Sequence, residues 1–565
     1  MKERLLGMKR FARLTPWLYG FLAATLVLFF LNQTTYFRYE NSDDILMVKA
    51  YMGFEGGSPA PFQLYQHALL SRLMGLLFSI DSSLAWFSLL QVGCLWLSLA
   101  VICACIFLCV KKALPFMMGI FASFIFIVVF AAFALARINF TTTAAMLGAA
   151  AVALLISTAC STAPSAFSVV LSILFLLGSY MLRAQSCLAV FPFWMLAAAY
   201  LLILHRRSAK KLLLLFAAGL ILFAGLYVIQ TIETSDPEIQ ELIHFQDANA
   251  GPMDYAEDRL MSVSDDVLAE IGWTRSELAL VQQWYFMDEN ITPEAFEVLD
   301  AALSSDTTLA SRLSQTLDTL FRFFSSQPRY VLCCAILLLL ALLSFISDSV
   351  LTRLAAFGSI ALAAAMLCYL AFQGRFLSRA ADCALFPAAV LLCVLAARAA
   401  GSPASAKKKA LAVCIAVICC ACTLLHAGMT SDLLSDRPDS VSASREATLE
   451  EYALAHPHKL LLRTPNLLRD TRLFPDVSSG TPTNIMIWGD WNCRTPSWYD
   501  QLEKLGFDGR HFTAADFLNE NLLFVTEQSA PPAELLAYIH EFTGLDVTYE
   551  LTDTSGDLHF FRFVS

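Results

Sequence analysis

"ENSDDILMVKAYMGFEGGSPAP", residues 40–61, is a polar loop punctuated by Gly and Pro, with two adjacent aspartates, set between hydrophobic stretches. The run that precedes it, 16–31, is apolar, and further apolar runs follow at 84–110, 113–136, 141–159, 165–182, 188–204, 212–230, 329–346, 354–372, 383–397 and 410–428. Most are near the roughly 20 residues that a helix needs to cross a bilayer. The 57% hydrophobic content exceeds the roughly 45–50% of soluble domains. The sequence therefore reads as an α-helical polytopic membrane protein with about eleven transmembrane helices.

Charge sets the expected topology. Lys2, Arg4, Lys9, Arg10 and Arg13 precede the first span, and no small-residue cleavage site follows it, so an uncleaved anchor with a cytoplasmic N-terminus is expected. With eleven alternating spans, Lys111 and Lys112, the group from His205 to Lys211, Arg353 and the stretch from Arg398 to Lys409 all fall inside, as basic loops prefer. Residues 1–31 are then the cytoplasmic N-terminus and first span, 32–83 the first external loop, 84–230 spans two to seven, 231–328 a second external loop, 329–428 spans eight to eleven, and 429–565 an external domain.

Within the first loop, Gln63, Gln66, His67 and Ser71 recur at helical spacing opposite Phe62, Tyr65, Leu69, Leu73 and Leu76, which predicts a helix lying along the outer membrane surface. The second loop carries nineteen acidic and four basic residues, and its "SDDVLAEIGW", "TRSELALVQQWYFMDE" and "TPEAFEVLDAALSS" each open on Ser or Thr with an acid in the first turn, which predicts helices. Such an acidic balance excludes nucleic acid as a partner class. The tail alternates strand-like "KLLLRT", "NIMIWGDW", "NLLFVTE", "VTYELTD" and "LHFFRFV" with helix-like "SWYDQLEKLG" and "PAELLAYIHEF", a small α/β domain. Fifteen of the sixteen cysteines lie in or beside apolar runs and act as small hydrophobes; Cys493 alone sits in the tail, with no visible base.

The candidate chemistry lies at the external ends of the spans. Arg137 with Asn139, Arg183 with Gln185, and Arg375 and Arg379 all fall on the side of Asp43 and Asp44. An arginine fork suits phosphate, and a carboxylate can take a proton from an attacking hydroxyl or hold a divalent cation such as Mg²⁺ or Mn²⁺. The opposing reading of each is plain: an Asp pair can be a solvated turn or helix cap, and a terminal arginine an interface anchor. His67 is a possible accessory group, though a residue of the polar helix face is the simpler reading. Trp488, Trp491, Trp498 and Tyr499 could stack on sugar rings or pack the tail core.

The acidic pair after the first span, the proline-led helix from Pro61, the arginines at external ends and the external C-terminal domain together resemble the GT-C class of membrane glycosyltransferases. "NSDDILMVKAYMGFEGGSPAP" and "GRFLSRAADCALFP" are also similar to membrane proteins of Firmicutes grouped with that class. The resemblance implies a bacterial cell-membrane enzyme that uses a polyprenyl-phosphate sugar, inverts at the anomeric carbon and transfers to a cell-envelope acceptor at the outer face. Carried over, Asp43 or Asp44 is the base or metal ligand, and Arg183 or Arg375 holds the departing lipid phosphate. Pro59-Ala60-Pro61 stands where several of those families have a double proline, which leaves the subfamily and the acceptor open. Between the aspartates, Asp44 is the expected sensitive position, because Asp43 is better placed to cap the helix beginning at "ILMVKAYM". The alternatives are a transporter or flippase for lipid-linked envelope intermediates, which should line a polar path through the spans, and a non-catalytic scaffold.

The topology is checked with reporter fusions at Ser208 and Ser440: the first is expected to report cytoplasm and the second the outside. A cytoplasmic signal at Ser440 would put the aspartates and arginines on the wrong side for lipid-linked transfer.

Overall fold

The computed structural model describes residues 2–565 except 54–61, 110–112, 305–307, 348, 401–405, 436–439, 466, 468–470, 475–481 and 492. Pro61 and the "FEGGSPAP" stretch thus lie outside the described residues.

Nine helices among the described residues are long and apolar enough to cross a membrane, or ten if the bent pair Leu309–Ser326 and Arg329–Phe345 is one span. The expected eleven differ at Ala166–Leu182 and Arg329–Phe345, each 17 residues long. At 1.5 Å per residue such a helix reaches only about 25 Å, short of a bilayer core of about 30 Å. Both nevertheless run the length of the bundle. His205 Nε2 lies 3.3 Å from the Ala159 carbonyl, which brings the ends of Phe140–Cys160 and Ala184–Leu204 together at one end of the bundle. Arg183, at the far end of Ala166–Leu182, lies instead over the Phe140 ring at the other end.

Composition decides which helices sit in the middle. In Phe140–Cys160, with its run "AAMLGAAAVALL", and in Ser378–Ala399, 94% of the residues in the most apolar stretch are buried, because Ala and Gly side chains let neighbouring backbones approach closely. An added Cβ at Gly148 would come within 2.8 Å of Val190. By contrast, the segment Arg206–Glu233 is 11% buried and turns Leu214, Leu220 and Ile221 outward, as a lipid-facing helix does. The third span is helical over Ala113–Ile125 and Ala132–Ala136, with a π-helical turn between them at Phe126–Ala131.

The polar stripe of the first loop is turned toward the protein. Helix Ala68–Ile80 forms, but Gln63, Gln66, His67 and Ser71 are buried while Leu69, Leu73, Leu76 and Ile80 are exposed. Tyr51 donates to Gln66 Oε1 at 2.6 Å and lies 3.2 Å from Ser71 Oγ, so Gln66 and Ser71 find partners inside the protein and the leucines are left to face outward.

All five tail strands form. Strands β3 (Leu460–Arg463), β4 (Ile485–Ile487), β5 (Leu522–Thr526), β6 (Thr548–Ser555) and β7 (Leu558–Val564) make one sheet in the order β4-β3-β5-β7-β6. β3 pairs in parallel with β4 and β5, and its continuous "LLLR" is buried throughout, as a strand covered on both faces must be. Helix Ser440–Ala455 covers one face through Leu449 and Tyr452. The other face shares a core with the helical segment 237–304: Phe245, Tyr285, Phe286 and Phe296 cluster with Trp488, Phe517, Tyr538 and Phe563. Two short strands, β1 (Arg38–Tyr39) and β2 (Arg137–Ile138), pair in parallel beside the bundle.

The joint between segment and sheet passes through Gly489. Phe286 N–H donates to the Trp488 carbonyl at 2.8 Å, and a Cβ at position 489 would fall 1.5 Å from the Trp284 carbonyl oxygen. Gly489→Ala must therefore displace backbone, at a cost of about 1–3 kcal/mol for an overpacked site. A lower thermal unfolding midpoint of the detergent-solubilised protein is expected, with Gly225→Ala as control because a Cβ there meets nothing within 4 Å. Equal midpoints for the two variants would show that the joint is loose.

Candidate functional site

Helix Ser42–Met52 begins immediately after β1, with Asn41 as its N-cap and both aspartates in its first turn. Neither aspartate is the cap, and neighbouring side chains 100° apart on a helix face different surroundings.

Asp44 is fully buried. Its Oδ1 accepts from Gln91 Nε2 at 2.8 Å and from Phe140 N–H at 2.9 Å, and its Oδ2 accepts from Asn139 Nδ2 at 3.0 Å. The carboxylate thus sits on the N-terminus of helix Phe140–Cys160, where free N–H groups and the helix dipole favour negative charge. Burial nevertheless pushes its pKa up to about 8, against the pull of Gln91 and Phe140.

Asp43 keeps about a quarter of its side chain accessible (27%). Its Oδ2 accepts from Asn41 Nδ2 at 3.0 Å and lies 3.3 Å from Arg379 Nη1. Arg379 begins the helix after the turn that contains Arg375, and Arg375 pairs with Asp254 from segment 237–304. Arg183, in the break between Ala166–Leu182 and Ala184–Leu204, stacks its guanidinium 4.7 Å from the Phe140 ring centroid and 5.2 Å from that of Tyr65. It has no carboxylate partner within 4.0 Å among the described residues. Asp43, Arg183, Arg375 and Arg379 therefore gather at one end of the bundle, drawn from separate turns.

Arg137 and His67 are held elsewhere. Arg137 is buried, and its guanidinium donates to the carbonyls of Tyr36 at 2.7 Å and Leu433 at 2.6 Å, which ties β2 to the last span. His67 caps helix Ala68–Ile80: Nδ1 accepts from Leu69 N–H at 3.2 Å, which leaves Nε2 to donate to the Leu226 carbonyl at 2.9 Å. Both nitrogens are used in architecture. As for a divalent cation, no group of three or more His, Cys, Asp or Glu side chains among the described residues is placed to hold one, and the Arg379 guanidinium already faces Asp43. The described residues do not fit a resident metal ion.

Sequence reasoning misses Asp490. It follows the carboxyl end of parallel strand β4, the end at which such sheets present ligand-binding loops. Its φ of 81° is one of few positive values at a non-Gly residue, and its Oδ1 accepts from Trp491 N–H at 2.6 Å. The carboxyl is ringed by protein, and burial pushes its pKa up to about 7, with the charges of Asp43 and Asp254 adding to the rise. Trp491 packs against Tyr65, with ring centroids 5.5 Å apart, so the tail domain closes over the Arg183 stack. Glu40 is a second missed acid: Ser378 Oγ lies 3.4 Å from its Oε1, and burial raises its pKa against the pull of Arg379 and Arg329.

No protein-family model and no curated protein matches this sequence. Over 97% of this chain and 98% of the other, the fold is similar to the crystal structure of ArnT from Cupriavidus metallidurans bound to undecaprenyl phosphate, at 11% identity and a TM-score of 0.37. At that level the likeness assigns neither residues nor chemistry.

The two aspartates are expected to fail differently. Asp44→Asn replaces one accepting oxygen by an NH2 that must face either Asn139 or the Gln91 and Phe140 donors, so it should lower stability by about 1–3 kcal/mol, the cost of unsatisfied buried groups. The pH dependence gives a second readout. A carboxyl whose folded pKa of about 8 lies above its ordinary 3.8 binds its proton more tightly in the folded state, so its contribution is full below about pH 4 and is lost as pH rises to about 8. Asp44→Asn should flatten that part of the profile, measured as thermal midpoint against pH, while Asp43→Asn, which removes one charge that raises the Asp44 pKa, should narrow it without abolishing it. Identical profiles for the two variants would contradict the assignment.

Proposed function

We propose that this protein is a membrane glycosyltransferase that moves a sugar from a polyprenyl-phosphate donor to a cell-envelope acceptor at the outer face of the bacterial membrane. The observation that carries the reading is the accessible Asp43 carboxylate facing arginines that arrive from separate interhelical turns. Asp43 accepts the proton of the acceptor hydroxyl as its oxygen attacks the anomeric carbon. The bond from that carbon to the phosphate oxygen breaks, and the departing lipid phosphate keeps the electron pair. Arg183 supplies a fork to that phosphate, stacked on Phe140 and Tyr65 and unopposed by a carboxylate among the described residues. Arg379 orients Asp43 and shares the phosphate charge; Arg375, paired with Asp254, gives the second rank of positive charge. Asp44 and Arg137 are left to hold the frame.

Loss of general-base assistance alone slows a reaction roughly 100- to 10,000-fold, so Asp43→Asn should lose at least that much transfer while folding normally. Arg183→Ala should weaken binding of a radiolabelled polyprenyl-phosphate sugar in proteoliposomes. Lysine should restore only part of it, since it keeps charge but not the planar fork. Undiminished transfer by Asp43→Asn, together with unchanged donor binding by Arg183→Ala and Arg379→Ala, would end this reading and move a transporter or scaffold ahead of it.

A further inference from the structure

Helix Leu309–Ser326 has a division of residues that the bundle does not use. On a helical projection, Leu309, Leu313, Leu317, Leu320, Phe321, Phe323 and Phe324 fall on one arc, and Arg312, Gln315, Asp318, Arg322 and Ser325 on the other. Only one edge of the apolar arc is covered: Thr316 and Phe323 are buried, while Leu309, Leu313, Leu317 and Phe321 are 53–72% exposed. A stripe of four large apolar side chains at successive i, i+4 positions needs an occupant.

The bend names it. Leu309–Ser326 turns through 100° into Arg329–Phe345, an apolar helix that runs through the bundle. A helix nearly perpendicular to a membrane-traversing one, joined to it at a short break, lies parallel to the bilayer plane at its boundary. The exposed stripe also continues onto Tyr369 and Phe372, which are exposed near the end of the neighbouring span Val350–Phe372. We infer that Leu309–Ser326 is an in-plane anchor whose Leu309, Leu313, Leu317 and Phe321 are immersed among the acyl chains of the site-bearing leaflet, with Arg312, Gln315 and Arg322 at headgroup level.

The anchor reaches the candidate site by one contact. Phe323 packs edge-on against Phe376, with centroids 4.1 Å apart, and Phe376 directly follows Arg375. The arginine turn therefore rests on a helix set at the depth of the leaflet, the level from which a lipid-linked donor would arrive if the proposed function holds.

The test uses the full chain reconstituted in vesicles of phosphatidylethanolamine and phosphatidylglycerol, with p-benzoylphenylalanine replacing one exposed residue at a time. Illumination is expected to give lipid adducts at positions 313, 317 and 321 and to lose them at 315 and 322. Equal lipid labelling at 315 and 317, or crosslinking of 317 to a second copy of the chain in place of lipid, would overturn the assignment. Labelling requires no sugar transfer, so the outcome stands apart from the fate of the proposed reaction. The replaced side chains are exposed, and monodisperse elution of each variant shows that it has folded.

Discussion

One buried carboxyl group organises one end of this bundle. Asp44 joins helix Ser42–Met52 to Gln91 of the second span, to Asn139 and to the first N–H of Phe140–Cys160. That last helix is one of the two most enclosed elements described in the membrane region, so whatever fixes its N-terminus also fixes the level at which the surrounding turns end. Thr143 Oγ1 donates to Gln91 Oε1 at 3.2 Å, and Asn139 Oδ1 accepts from Thr141 N–H at 2.8 Å, so the amides on either side of the carboxylate are themselves held. With its neighbour so constrained, Asp43 is presented on the adjoining helix face, toward Arg379, without needing buried partners of its own.

The C-terminal domain is tied to the same helix from the other side. Lys49, one turn beyond the aspartates, pairs with Glu446 and Glu450 of helix Ser440–Ala455. Tyr39 N–H donates to the Thr471 carbonyl at 2.8 Å, and Ser88 Oγ donates to the Leu473 carbonyl at 2.6 Å, so a tail segment threads between β1 and the second span. These contacts explain how a loop at the end of β4 can bring Asp490 and Trp491 to Tyr65 reproducibly. A positive φ at an aspartate costs roughly 1–3 kcal/mol and persists only where surrounding structure imposes it; here the adjoining Gly489 is pressed against the Trp284 backbone and the Trp491 carbonyl accepts from Gln246.

What the sequence makes legible follows the range of the forces involved. The tail strands can be read because "LLLR" and "LLFVT" are local statements of two-sided burial, and the loop helices because Ser264 and Thr274 sit at their N-caps. The convergence of Arg183, Arg375 and Arg379 with Asp43 follows from counting spans and tracking which ends share a side. The division of labour between Asp43 and Asp44 is not legible, since it depends on partners 47 and 95 or more residues away that only the packed bundle brings together. Arg137 misleads for the same reason: a terminal arginine that meets carbonyls of a distant helix looks identical, in sequence, to one that meets a phosphate. Asp490 leaves a faint trace in the Gly-Asp after a buried parallel strand, although a turn after a strand usually has no such role.

The first-loop helix shows where a rule for soluble proteins changes sign. In water, a stripe of Gln, His and Ser on a helix marks the exposed face, because exposure satisfies polar groups at no cost. Beside a bilayer the outward medium is hydrocarbon, and an unsatisfied polar group there costs several kcal/mol, so the same stripe turns inward wherever the protein can supply partners. Gln66 and His67 find them in Tyr51 and in the Leu226 carbonyl, and Gln230 Oε1 accepts the Ala68 N–H at 2.8 Å. Arg72 does not turn inward; it stays exposed and pairs with Glu233 at the end of the lipid-facing helix. The depth of this helix is thus marked by its own side chains, with Leu73, Leu76 and Ile80 on the hydrocarbon side and the Arg72–Glu233 pair at the boundary with water.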